Sequence, residues 1–376
     1  MTTRGLLLPA LAVSALLGCE GAGGETAPAP APPSYQLALP PGFPAPFIPA
    51  NNPLSEPKIA LGKRLFSDKR LSGNQTMSCA SYHFSDKGFA DGKATPTGST
   101  GDQVPRNALG LFNVGYFSTL TWANPTLTTL EDQTIIPLIN EHPVELGIAS
   151  LTGEALARLR DDAEVKGAFA LAFPEDADPV SIESVAKAIA SYERTLVAGR
   201  SPYDRYTYDG DTGAMSASAV RGLDLFFSER TECYHCHSGF LFTTAVRTAD
   251  TVHLESAFEN TGLYNLDGMG TYPGDNVGLY EFTTDPTDMG RMRIPTLRNL
   301  TLTAPYMHDG SIATLGEVID HYAEGGRTIK DGPLAGAGRD NPYKSPLVKG
   351  FLITPEEKDD LVHFLESLTE DKPGGD

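Results

Sequence analysis

Cysteine is almost missing from this sequence, with four residues among 376, at positions 19, 79, 233 and 236. A dense disulfide framework is thereby excluded. Basic residues are also short, 29 Lys and Arg against 48 Asp and Glu, for a formal charge of -19. Such a surface repels nucleic acid and anionic membranes and leaves a basic protein as a compatible partner. Strand-like alternation is scarce, which argues against an all-β class. There is one tryptophan, Trp122. The long apolar run from Leu6 to Leu17 is too short to cross a bilayer in the mature protein.

That run follows Met1-Thr2-Thr3-Arg4 and reads as a signal peptide over residues 1–18. It ends in Leu16-Leu17-Gly18-Cys19, which resembles a bacterial lipobox, so Cys19 is the expected lipidation site. Glu20, in place of Asp, points to an outer-membrane lipoprotein facing the periplasm. Residues 19–45 form an Ala/Pro-rich tether too poor in apolar bulk to fold. Once Cys19 is set aside, three thiols remain, an odd number for an exported chain. Something other than pairwise bridging must occupy them.

What is present is a repeat. Leu61-Gly62-Lys63-Arg64-Leu65-Phe66 leads to Cys79-Ala80-Ser81-Tyr82-His83, and Arg221-Gly222-Leu223-Asp224-Leu225-Phe226 leads to Cys233-Tyr234-His235-Cys236-His237. Two copies of one unit follow, each a short helix and then a loop carrying Cys and His. The length suits two domains, 46–200 and 201–376, joined through a helix over 181–196 and the break at Gly199-Arg200-Ser201-Pro202. Helical periodicity recurs over 152–159, 217–227, 315–322 and 354–368, so the class is mainly α with long loops.

Cys233, Cys236 and His237 have c-type haem spacing: two sulfurs add to the haem vinyl groups while the adjacent histidine reaches the iron. A zinc site would need a second ligand pair, which the spacing does not provide. In the first copy Tyr82 stands where the second cysteine belongs, with Cys79 and His83 in register. Three arrangements stay open there: one thioether with His83 on the iron, haem without covalent attachment, or an empty site. A Cys codon becomes a Tyr codon by one base change.

With these motifs, the chain resembles the diheme cytochrome c peroxidase and MauG superfamily over nearly all its mature length. Further signposts are Arg106-Asn107, Trp122, Gln133, Glu145-Leu146-Gly147, Pro295-Thr296-Leu297-Arg298-Asn299 and Thr303-Ala304-Pro305-Tyr306-Met307-His308-Asp309-Gly310. The segments 121–125, 142–147 and 260–268 look most like the MbnH-like diheme enzymes, which oxidise a tryptophan of an MbnP-like copper-binding partner.

The resemblance implies two class I cytochrome c-like domains with the haems near their interface. It implies a five-coordinate peroxide site on His83 and a six-coordinate haem on His237. Tyr322 falls where MauG uses tyrosine and other peroxidases of the superfamily use methionine; Met307 and His321 are the competing sixth ligands. Glu145 is the matching distal acid/base, supported by Gln133 or His142, and Trp122 the electron relay between haems. Asn107, with the carbonyls of Thr303 and Pro305, matches a calcium site. Three functions are compared: peroxide-dependent oxidation of a protein substrate, reduction of hydrogen peroxide with electrons from a small cytochrome c, and non-catalytic electron transfer with a dead first site. An oxygen ligand at Tyr322 lowers the iron potential and disfavours the second, while Glu145, Trp122 and Asn107 speak against the third.

Overall fold

A computed structural model describes Met1, residues 35–254 and residues 257–371. The expected signal peptide beyond Met1, Cys19 and most of the tether lie outside the described residues. Among the described residues no helix is long and apolar enough to cross a membrane.

The chain is mainly α. Its helices are α1 Glu56–Phe66, α2 Leu130–Ile139, α3 Thr152–Arg160, α4 Ala163–Ala172, α5 Ile182–Glu193, α6 Pro202–Tyr208, α7 Ala217–Phe226, α8 Tyr280–Thr283, α9 Leu315–Ala323 and α10 Pro355–Glu366. Among the described residues, strand is confined to two antiparallel pairs of two residues each, Phe258–Glu259 with Met292–Arg293 and Thr328–Ile329 with Gly336–Ala337. Local chemistry sets the helix starts. Ser55 caps α1 by accepting from Lys58 N, and Thr314/Glu317 and Thr354/Glu357 form reciprocal capping boxes on α9 and α10.

The helix expected over 181–196 stops at Glu193. Asn113 draws the following backbone away, its N–H donating to Leu196 O at 2.7 Å and its Oδ1 accepting from Ala198 N at 2.9 Å.

The repeat reappears as packing. Helix α1 lies on α5, and α7 on α10. Each crossing is closed at the same position of the repeat. A Cβ on Gly62 would lie 1.9 Å from Ala188 O, and one on Gly222 would lie 2.0 Å from Asp360 O. Only glycine permits these backbones to touch.

Two large apolar cores follow. One gathers Leu61, Leu65, Phe66, Tyr82, Phe112, Tyr116, Phe169 and Ile189, and the other Phe226, Phe242, Leu315, Ile319, Leu361 and Phe364. Between them sits a buried ion pair: Arg298 donates to both Asp204 oxygens at 2.8 Å and to Phe240 O at 2.6 Å. The guanidinium also faces the Phe43 and Phe242 rings at 5.0 and 5.8 Å.

Candidate haem sites

Helix α7 delivers the chain into a 3-10 turn, Cys233–His235, in place of the irregular loop expected from sequence. The N–H groups of Cys236 and His237 both donate to Cys233 O, at 3.3 and 3.0 Å, bringing both thiols and the imidazole to one side. His237 Nδ1 lies 2.9 Å from Phe242 O. A carbonyl only accepts, so Nδ1 carries the proton and Nε2 keeps a free lone pair. Burial holds this imidazole neutral, its pKa lowered to about 4.

These three residues line a cavity of ≈ 240 Å³. Tyr322, from α9, lines the same cavity, together with apolar residues such as Ile319, Leu361 and Phe351. Burial raises the Tyr322 phenol pKa, and after burial the groups bearing on it are Cys236 and Cys233. Met307 also borders the cavity, but it packs toward Leu263, Tyr264 and Ile312. His321, the next residue round α9 from Tyr322, is buried and does not line this cavity.

The cavity extends to residues from the first half. Trp122 reaches it, with Nε1 donating to Asn107 O at 2.9 Å and its ring 6.4 Å from that of His308. Asn107, Thr303 and Pro305 also share the wall. Asn107 Nδ2 donates to Lys93 O at 2.7 Å, which leaves the amide oxygen as the group available to a hard cation.

In the first half a matching 3-10 turn covers Cys79–Ser81. Tyr82 is 7% exposed, and its hydroxyl donates to Glu145 O at 3.3 Å. His83 Nδ1 is 2.6 Å from Phe89 O, and burial lowers its pKa, as at His237. Glu145 is largely buried, and loss of solvent lifts its carboxyl pKa to about 7. Gln133 is half-buried on α2 and His142 is exposed, so of the three only Glu145 is a sheltered acid.

Two residues escaped the reading of the sequence as site candidates. Arg293 is 2% exposed, donates to Thr121 O, and keeps Nη1 without a partner among the described residues while bordering the cavity beside Trp122. Glu193 is 6% exposed with Oε2 unpartnered, since the neighbouring Arg194 is bound in both directions by Glu131 at 2.7 and 2.8 Å. Burial pushes the Glu193 carboxyl up to about 8. Neither lies in a recognisable spacing pattern; arginine and glutamate are surface residues by default.

The cavity suits a haem. Its wall is largely apolar, the Cys233 and Cys236 thiols that line it are free and held protonated by burial, and Cys236 is pushed up to about 11, which disfavours thiolate metal ligation. The orphaned Arg293 Nη1 and His308 Nε2 are donors or acceptors that a ligand with acidic substituents would satisfy.

Comparison with known proteins agrees. The sequence profile of the di-haem cytochrome c peroxidase family matches residues 56–213. Cytochrome-c peroxidase IdrP1 of Denitromonas iodatirespirans is 35% identical over 380 residues, covering 97% of this chain and 93% of that protein. Methylamine utilization protein MauG of Methylophilus methylotrophus is 32% identical, covering 90% of this chain and 89% of that protein. A crystal structure of a MauG-like protein associated with microbial copper homeostasis is 46% identical, with a TM-score of 0.88 over 91% of this chain and 97% of that one. Identity at this level along almost the whole of both partners is inheritance rather than shared architecture alone, and the chain is an oxidoreductase of the diheme cytochrome c peroxidase and MauG family.

Proposed function

We propose that the protein is a periplasm-facing outer-membrane lipoprotein, anchored through Cys19, that uses hydrogen peroxide to oxidise a protein substrate at long range. The substrate class is a tryptophan of an MbnP-like copper-binding protein. Residues 46–200 and 201–376 are the two cytochrome c-like domains, with His83 and His237 as proximal ligands and Tyr322 as the sixth ligand of the second haem. The observation that carries the reading is Tyr322 lining the same cavity as Cys233, Cys236 and His237. A phenolate oxygen favours high-valent over reduced iron, which suits storing oxidant rather than accepting electrons from a donor. The likeness to a MauG-like protein associated with copper homeostasis supports the choice of substrate.

Hydrogen peroxide would supply the oxidising equivalents, and bound haem would store them. The chain's own groups do the rest. Nδ1–H donation from His237 to Phe242 O, and from His83 to Phe89 O, fixes both imidazoles and leaves each Nε2 lone pair free to bind an iron. Glu145, near half-ionised at neutral pH, would take a proton from one oxygen of hydrogen peroxide and return it to the departing one. Trp122 is held by its bond to Asn107 and forms the relay between the halves. Asn107 with the carbonyls of Thr303 and Pro305 holds calcium at that junction.

The test is to mix holoenzyme, hydrogen peroxide and a copper-binding lipoprotein substrate and to map oxygen addition by mass spectrometry. Modification at a tryptophan supports the reading. Rapid turnover with reduced cytochrome c and an unmodified partner would replace it with the cytochrome c peroxidase reading that the IdrP1 likeness favours.

A further inference from the structure

We infer that the first haem is attached by one thioether only, from Cys79, and that Tyr82 fills the place of the second as a strut to the Glu145 loop. The inference rests on the two-haem reading above. Its first support is that the degenerate turn has kept the form of the intact one. Tyr82 N and His83 N both donate to Cys79 O at 3.0 Å, as Cys236 N and His237 N do to Cys233 O. Each histidine then ties Nδ1 to a carbonyl a few residues on, Phe89 in one case and Phe242 in the other. A turn released from haem binding has no reason to preserve the attachment geometry of both the thiol and the imidazole.

The second support is the phenol itself. Tyr82 is buried in the first core, and its hydroxyl meets Glu145 O at 3.3 Å with Met77 Sδ 3.7 Å away. The side chain therefore bridges the proximal turn to the loop that carries the acid/base candidate. It connects by a hydrogen bond two segments that are 63 residues apart.

The third support is the state of Cys79. It is a free thiol. Thioether formation from a thiol and a vinyl group balances. The S–H adds across one vinyl C=C, sulfur to one carbon and hydrogen to the other, with no electron gained or lost. The other vinyl would keep its double bond, because Tyr82 has no sulfur to offer.

The experiment uses the full chain matured in a host that attaches c-type haem. Three readouts are combined: haem per polypeptide, acid–acetone extraction, and peptide mass mapping with the pyridine haemochrome spectrum. The expected result is two unextractable haems, a Cys79 peptide carrying haem mass, and a composite band displaced toward that of vinyl-bearing haem. Tyr82→Cys should move the band to the ordinary two-thioether position, Tyr82→Phe should leave it in place, and Cys79→Ser should make one haem extractable. Two haems of which one extracts from the unaltered chain would overturn the single thioether and spare the two-haem reading. One haem per chain would overturn both. Because the mass of the Cys79 peptide is read on the unaltered chain, a variant that fails to fold does not remove the test.

Discussion

Replacing Glu145 by glutamine should slow the protein and stabilise it at once. The carboxyl is raised from 4.5 to about 7 by burial, so it holds a proton in the folded state over a range where the unfolded chain has released it. Stability is full below the unfolded value and falls as pH rises from about 4.5 to 7, because the unfolded state then binds fewer protons. A shift of that size is worth roughly 3 kcal/mol above neutrality, at 1.36 kcal/mol per unit. Glutamine keeps the shape and removes the ionisation. Glu145→Gln should therefore match the parent near pH 5 to within about 1 kcal/mol and exceed it by roughly 2–3 kcal/mol at pH 8. Its reaction with peroxide should fall by about 10²- to 10⁴-fold, the usual range for losing a general acid/base. Denaturant midpoints at the two pH values and stopped-flow mixing with peroxide read the two effects. A variant that is slow but equally unstable at both pH values refutes the burial argument. One that is stabilised but equally fast refutes the catalytic role.

Three further outcomes follow from the packing and the second site. Tyr322→Phe should change the optical spectrum of the second haem and raise its midpoint potential; an unchanged spectrum would transfer the ligand role to Met307 or His321. Gly222→Ala forces a Cβ to 2.0 Å from Asp360 O and should cost about 1–3 kcal/mol or more by overpacking, whereas Gly167→Ala in α4, with open space around it, should stabilise by roughly 0.5–1 kcal/mol in thermal melts. Arg298→Ala leaves Asp204 buried without its cation and should destabilise by about 3–5 kcal/mol, measured by urea titration.

The parts of this protein that could be read from sequence were those set by short-range spacing. The haem turn, the doubled Gly–helix–Cys unit and the capped helices α1, α7, α9 and α10 all carry their signal within a dozen residues. Mainly helical architecture followed from the same periodicities. Helix α2 was not anticipated because Pro137 interrupts its pattern, and α5 was drawn too long because Asn113, some 80 positions earlier, decides where it ends. Arg293 and Glu193 were invisible for a related reason. Their burial comes from chain segments far away in sequence, and nothing beside them in the sequence announces it. Glu145 was found only through a family motif; its sheltered carboxyl is a property of the fold.

The Arg298 guanidinium touches Phe43, which belongs to the first core, and Phe242, which belongs to the second, while its charge is satisfied by Asp204 at the start of the second half. Loosening either core strips the guanidinium of one of its two aromatic faces, so partial melting of one half weakens a contact that the other half also uses. The two halves are thereby denied independent transitions. Heated or titrated with urea, the chain should lose both cores in one cooperative step, and a relay of the proposed kind, with both ends melting together, would have no half-open state in which oxidant is made at one end without a path to the other.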